Sequence, residues 1–240
     1  MTGRLFRSAV ACAALAGGAH AALGQQAAAP QAPVQLTITS VDPYLMPDRA
    51  AEIALARTAA PKWISDSATI MVLGRTGFTE AVKGTNGFTC LVVRSLSDPL
   101  TAPERWNTKE LAPHCFNPPA SRTVLPTVLK QTEWVIAGMT PDQIIKQFDR
   151  AYATHEFVTP ENGSMTYMLS PSQTLGPNNS HWVPHLMFYF DKSASPSWWG
   201  IGDSVTTVIN GSAADPNATY LLLLVPVRNW SNGQSAMSGH

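Results

Sequence analysis

The sequence has little charge and no excess of either sign. Of its 240 residues only 13% are charged, about half of the roughly 25% that is usual for globular domains. Sixteen basic residues balance sixteen acidic ones, so the chain lacks the basic field that holds nucleic acid. Hydrophobic residues make up 45% of the chain. This composition argues against disorder, which requires low hydrophobicity together with high net charge.

Long hydrophobic runs are also missing. No window reaches the roughly 18 consecutive apolar residues of a membrane span, and the densest late run, residues 220–227, has the length of a strand. The chain length suits one domain of ordinary size. We therefore expect a globular protein with no membrane span and no nucleic-acid partner.

Residues 1–24 have the layout of a secretory signal peptide. Arg4 and Arg7 form a positive n-region, residues 9–15 form a short apolar core, and small residues precede a cleavage site before Gln25. A second possible site lies three residues earlier. An Ala-rich leader of this kind is typical of bacterial export, so we expect the protein to be periplasmic or secreted.

Beyond the leader, the composition divides the chain into three further parts. Residues 25–36 are rich in Ala, Gln and Pro, which predicts a flexible tether. Residues 37–232 are expected to form a single α+β domain, and residues 233–240 a flexible tail.

Cysteine is scarce, and its number supports export. Removing Cys12 with the leader leaves Cys90 and Cys115, and an even pair in an oxidising compartment predicts a disulfide. Closing this loop would stabilise the protein by roughly 3.5 kcal/mol through the entropy of the unfolded chain. A metal or redox pair would more often show the C-x-x-C spacing, which is absent.

The apolar patterns predict strands on both sides of a helical middle. Asp48 and Thr140 are suitable N-caps for helices over residues 48–60 and 140–155, whereas residues 124–137 fit either a helix or a strand. Short β-branched or aromatic runs predict strands at residues 69–73, 78–82, 88–94, 165–169, 185–190, 205–209 and 220–227.

This order has no βαβ alternation, so it favours an α+β fold with a mainly antiparallel sheet and two or three packed helices. We expect the first three strands to form a β-meander with a hairpin loop at residues 83–87. Residues 95–119 contain many prolines, and we expect a long irregular loop that the disulfide attaches to the sheet.

The segment around His185 is the strongest candidate for a site. On a strand, His185, Met187 and Tyr189 point to one face, while the apolar residues at positions 186, 188 and 190 point to the other and are expected to be core. An imidazole, a thioether and a phenol are unusual on a solvated face, so they suggest the floor of a pocket, with His181 and Trp182 beside it. A sheet covered by a helix, with His and Tyr hydrogen-bonded, explains the pattern as well.

A metal site is a narrower hypothesis for the same segment. His181, His185 and Met187 are candidate ligands, and a His and Met set would suit copper, with Met165 and Met168 nearby in sequence. On an extended chain the two histidines lie about 13 Å apart, and the Glu of H-E-x-x-H is missing. Met more often fills gaps in a core, so the sequence assigns no metal and no cofactor.

Two other features leave alternatives open. The trio of Ser204, His185 and Asp191 could carry nucleophilic hydrolysis, although no G-x-S-x-G motif is present. Trp198 and Trp199 form a pair on a predicted loop, where they could stack on sugars or anchor a partner. The same pair could instead form a hydrophobic lid over the sheet edge.

Two segments resemble a family of exported, signal-peptide-bearing bacterial proteins with no assigned function. They are Gly74-Arg75 with Asn86-Gly87-Phe88-Thr89-Cys90-Leu91-Val92 and Arg94, and His181-Trp182-Val183-Pro184-His185-Leu186-Met187-Phe188. The resemblance spans most of the chain from about residue 49 to 230. It implies an exported protein, and it implies no activity, cofactor or substrate.

Together these patterns predict a small-molecule or surface binding protein of the cell envelope. The alternative is a pocket enzyme that uses His185, either a hydrolase or a metal-dependent enzyme. A structural protein without a ligand is a third possibility. The sequence specifies neither the ligand nor the oligomeric state.

We predict that the mature protein begins at Gln25, because the n-region, apolar core and small residues occur in the order that signal peptidase requires. N-terminal sequencing of the exported protein checks this expectation. Retention of Met1 in the exported material would contradict it.

Overall fold

The computed structural model describes residues 35–102, 105–175, 181–201, 208–213 and 215–236. The predicted signal peptide, most of the predicted tether and the last four residues of the predicted tail lie outside this part of the chain. Among the described residues, no helix is both long enough and apolar enough to cross a membrane.

The described residues contain five α-helices and eight strands. The helices are α1 (Arg49–Arg57), α2 (Lys62–Ser65), α3 (Pro118–Thr123), α4 (Leu125–Ile136) and α5 (Pro141–Ala153). The strands are β1 (Thr69–Gly74), β2 (Gly77–Val82), β3 (Thr89–Val93), β4 (Ala112–Phe116), β5 (Met165–Met168), β6 (His185–Asp191), β7 (Ile209–Asn210) and β8 (Tyr220–Pro226). Most of the predicted strand at 205–209 lies outside the described residues.

These strands form one sheet in the order β2-β1-β3-β4-β5-β6-β8-β7. The pairing of β1 with β3 is parallel, and the other pairings are antiparallel. The predicted α+β class with a mainly antiparallel sheet is therefore confirmed. Three of the described helices, α1, α4 and α5, are longer than eight residues.

The predicted β-meander is wrong, because β3 pairs with β1 and not with β2. The chain leaves β2 and crosses the start of β1, where the Gly84 N–H donates to Thr69 Oγ1 at 3.0 Å. A Cβ atom at Gly84 would lie 2.1 Å from the Thr69 nitrogen, so only glycine permits this crossing. The glycine-rich stretch that resembles a hairpin loop is thus a crossover.

The Cys90–Cys115 disulfide is confirmed, but its setting differs from the prediction. Cys115 lies on strand β4, directly opposite Cys90 in the antiparallel ladder, and not in an irregular loop. All five residues of β4 are buried, so the strand lacks the alternation by which a half-exposed strand is recognised. Pro113 also makes β4 hard to recognise from the sequence, since proline is rare inside strands.

Helices cover the two faces of the sheet. On one face, which we call the α1 face, Ala56, Ala59 and Ala60 pack with Ile64 and with the disulfide. On the other, the α4 face, residues of β3 and β4 pack against Val124 and Leu125 at the start of α4. The segment 124–137 that fitted either structure is thus a helix, and its Val124, Leu125 and Val128 pack against the sheet.

The helix predictions at 48–60 and 140–155 are confirmed as α1 and α5. The Asp48 side chain accepts a hydrogen bond from the Ala50 N–H at 2.8 Å, which caps α1. Thr140 and Gln143 form the expected capping box at the start of α5.

An ion pair is buried where α1 meets the sheet. Arg94 and Glu52 are 1% and 2% exposed, and Arg94 Nη2 donates to Glu52 Oε1 at 2.9 Å. Arg94 Nε also donates to the Tyr44 carbonyl at 3.0 Å, and the Leu73 N–H donates to Glu52 Oε1 at 3.2 Å. The pair therefore joins α1, β1, the end of β3 and the segment before α1.

We predict that Glu52→Leu and Arg94→Met will each destabilise the protein by about 3–5 kcal/mol, because each leaves a buried charge without its partner. The double variant should lose much less free energy of unfolding than the sum of the two single losses. Urea unfolding measures the three values. As a matched control, Arg122→Met breaks an exposed ion pair with Glu161 and should change the unfolding midpoint little. Additive losses in the double variant would contradict the coupling.

Candidate functional site

A cavity of about 720 Å³ lies between the α4 face of the sheet and helices α4 and α5. This volume falls within the range of cavities that hold small molecules, roughly 300–1,000 Å³. The sheet contributes residues of β4, β5, β6 and β8, and the helices contribute Thr127, Val128, Gln131, Ile145 and Phe148. We call it the sheet–helix cavity.

Strand alternation places three of the candidate residues in this cavity. His185, Met187 and Tyr189 all line it, and all three are buried within the fold. The apolar residues at 186, 188 and 190 lie on the opposite face and are only half-buried. The face with residues 186, 188 and 190 is therefore less buried than expected. The face with His185, Met187 and Tyr189 is the more buried of the two.

A second histidine, His114 on β4, lines the cavity as well. Its Nδ1 donates to the Ala112 carbonyl at 2.8 Å, and His185 Nδ1 donates to the Val183 carbonyl at the same distance. Since a carbonyl can only accept, both rings carry their proton on Nδ1 when neutral, which leaves the Nε2 lone pair free.

Burial keeps both rings neutral. Burial and the nearby His185 ring together lower the pKa of His114 to about 4, against the hydrogen bond to the Ala112 carbonyl, which raises it. Burial lowers the pKa of His185 too. At neutral pH the cavity therefore presents two imidazole acceptors and no imidazolium charge. Sequence reasoning missed His114, because β4 was not recognised as a strand.

Two carboxyl groups, Asp98 and Glu110, line the cavity wall. Burial raises the pKa of Glu110, and the charge and hydrogen bond of Asp98 raise it further, while the charge of Arg94 lowers it. Burial also raises the pKa of Asp98. Two carboxylates in contact resist double ionisation, so the pair retains one proton at neutral pH.

The cavity extends along strand β6. His185 and Lys192 line it at opposite ends of the strand, and the seven residues of β6 span about 20 Å. Between the two ends, Met187 and Leu224 lie opposite each other on adjacent strands. The Tyr189 ring packs edge-to-face with Tyr220 at 5.2 Å. The middle of the cavity is thus apolar, and the polar groups lie toward its ends.

The structure separates the remaining candidate residues. Trp182 lines the cavity and packs edge-to-face on His185, with ring centroids 4.5 Å apart. His181 is exposed and does not line it. Trp199 packs on Phe190, which belongs to the opposite sheet face, and Trp198 is 72% exposed. The paired tryptophans are therefore not part of the cavity.

Neither narrower chemical hypothesis finds its predicted residues assembled. Asp191 accepts hydrogen bonds from the N–H and hydroxyl of Ser193, whereas His185 donates to a backbone carbonyl. Ser204 lies outside the described residues. Across the part of the chain that the structure describes, no three His, Cys, Asp or Glu side chains converge as a metal-binding group.

The carboxyl pair predicts a dependence of stability on pH. Because the folded protein raises the pKa of Glu110, it binds a proton that the unfolded chain releases, so stability falls as the pH rises above the ordinary carboxyl range. Glu110→Gln keeps the shape without the titration and should melt at a higher temperature than the parent at alkaline pH.

Thermal unfolding from pH 4 to 9 measures this difference, which should vanish at the acid end. Glu80→Gln, at an exposed position on β2, is the matched control and should follow the parent throughout. If the melting temperatures of the parent and Glu110→Gln changed with pH in parallel, Glu110 would be ionised in the folded protein, which would contradict the prediction.

Comparisons of the chain with family models, curated proteins and solved structures find no match.

Proposed function

We propose that the protein is an exported small-molecule binding protein of the cell envelope, whose ligand occupies the sheet–helix cavity. The observation that carries the proposal is the cavity itself, about 720 Å³ of space with an apolar middle and polar ends. The leader pattern and the Cys90–Cys115 disulfide support export. The ligand class follows from the shape and chemistry of the lining.

The long apolar middle favours an elongated, mainly aliphatic ligand. Each buried methylene contributes about 0.8 kcal/mol, so ten of them supply about 8 kcal/mol before the cost of association. The thioether of Met187 lines this part, and such a flexible side chain adapts to chains of different length.

The polar groups near His185 favour a ligand end that donates hydrogen bonds. The free Nε2 atoms of His114 and His185 can only accept from a ligand while the rings are neutral. The Asp98 and Glu110 pair, which lines the same cavity, retains a negative charge at neutral pH. A hydroxyl or ammonium group is therefore accommodated here, whereas a carboxylate is repelled.

Binding explains the geometry better than the alternative in which His185 acts as a catalytic base. The His185 ring is oriented by the Val183 carbonyl, and a carbonyl stabilises an imidazolium less than a carboxylate does. Surface binding through Trp198 and Trp199 is also less favoured, since that pair lies apart from the cavity and its polar groups.

A neutral fluorescent probe tests the proposal. N-phenyl-1-naphthylamine should bind one per protein with enhanced emission, and decylamine and decanol should displace it. Leu224→Trp places a large ring in the cavity and should weaken probe binding by about tenfold or more, equivalent to about 1.4 kcal/mol.

Phe188→Trp is the control, because it places the same indole on the opposite face of the adjacent strand. It should leave probe binding unchanged, and both variants should keep their melting temperatures close to that of the parent. Absence of probe binding to the parent, or equal binding to Leu224→Trp, would refute the proposal.

A further inference from the structure

Three side chains that can bind a metal through nitrogen or sulfur form a row across the middle of the sheet. Met168 on β5 lies directly opposite His185 on β6. On its other side, β4 pairs with β5 through Cys115 and Tyr167, and the next step of this antiparallel register places His114 beside Met168. All three side chains line the sheet–helix cavity. The row is therefore His–Met–His on three adjacent strands.

The spacing suits convergence on one ion. Adjacent strands lie about 4.8 Å apart, so the two histidine backbones are separated by about 10 Å with the methionine midway between them. Imidazole side chains that lean toward the methionine from either side can place both Nε2 atoms within about 2 Å of an ion above the thioether. The ion would then have two nitrogen ligands and one sulfur ligand.

Both histidines already have the tautomer that metal ligands need. In metal sites the ligating ring usually donates its other N–H to a carboxylate or a backbone carbonyl, which fixes the tautomer. His114 and His185 each donate Nδ1–H to a carbonyl two residues earlier, at 2.8 Å. The two Nε2 atoms are thus the available donors.

The surroundings select a soft ion. His185 and Met168 are 1% and 3% exposed, the Phe116 ring stacks on His114 at 5.8 Å, and the Trp182 ring packs against His185. A thioether with two imidazoles and an apolar enclosure favours Cu(I), whereas Mg²⁺, Ca²⁺ and Mn²⁺ prefer oxygen ligands. Within the row there is no carboxylate to bind them.

We propose that His114, Met168 and His185 form a binding site for one Cu(I) ion at the wall of the sheet–helix cavity. The site differs from the one suggested by sequence spacing, because His181 is exposed and Met187 lies opposite Thr166 in the next row. The site uses the same two Nε2 atoms that would accept from the polar end of the organic ligand, so copper and that ligand end should exclude each other. Binding of the probe and binding of Cu(I) are measured separately, so either proposal can fail while the other stands.

Anaerobic titration of the full-length protein with Cu(I), in competition with the chelator bicinchoninate, tests the site. One equivalent should bind, and X-ray absorption at the copper edge should show two nitrogen scatterers and one sulfur scatterer. Binding should also quench the fluorescence of Trp182, which contacts His185. Absence of competition with the chelator, or a coordination shell without sulfur, would overturn the proposal.

Conservative variants locate the ion. Met168→Leu removes the sulfur with little change in volume and should weaken Cu(I) binding by roughly tenfold or more. Its matched control is Met165→Leu, on the same strand but the opposite face, which should bind as the parent does.

His185→Gln should abolish the site, whereas His181→Gln, at an exposed position four residues earlier, should not affect it. Melting temperatures of the four variants without copper separate loss of binding from loss of folding. Equal weakening by Met168→Leu and Met165→Leu, or stronger binding of Zn²⁺ than of Cu(I), would overturn the assignment.

Discussion

The buried ion pair between Arg94 and Glu52 fixes the relation between the sheet and the helix on its α1 face. Removing two charges from water costs several kcal/mol for each ion, and the cost is offset only where the remaining hydrogen-bonding groups are satisfied. Here backbone carbonyls of Tyr44 and Val92 accept from the guanidinium, and the Leu73 N–H donates to the carboxylate. The pair is therefore stable in one arrangement of these segments.

The same guanidinium influences the cavity on the other face. Its charge lowers the pKa of Glu110 against the larger effect of burial. Arg94 directly follows β3, and the chain then leads through a short 3₁₀ helix to Asp98. One residue thus orients α1 on one face of the sheet and moderates the carboxyl pair on the other.

The two faces of the sheet differ in how closely they are packed. Alanines of α1 and the loop after it allow close contact with β3 and β4 on the α1 face. On the α4 face, helix α4 packs over β3 and β4, and the cavity opens between it and the strands that follow. The contrast between a closed face and an open face is the physical basis of the functional proposal.

Local sequence patterns predicted the elements that have local causes. The caps of α1 and α5, the alternation of β6 and the pairing of two cysteines were all recognisable in this way. Alternation also indicated which face of β6 carries His185, Met187 and Tyr189. It did not reveal that this face borders a cavity, since that depends on where α4 lies.

Other features were missed because they depend on contacts between distant segments. The parallel pairing of β1 with β3 follows from a crossover at Gly84, whose close contact with Thr69 is a tertiary one. Strand β4 is buried on both faces and contains Pro113, so it has no periodic signal. With β4 unrecognised, His114 could not be placed beside Met168 and His185.

A crystal structure of the protein with N-phenyl-1-naphthylamine tests whether the α4 face of the sheet encloses a ligand site. We expect electron density for the probe between β6 and α4, in contact with Met187, Leu224 and Val128, with the backbone of the strands unchanged. Density for the probe only on the opposite face, against Phe188 or Trp199, would contradict it. So would a cavity closed by its own side chains.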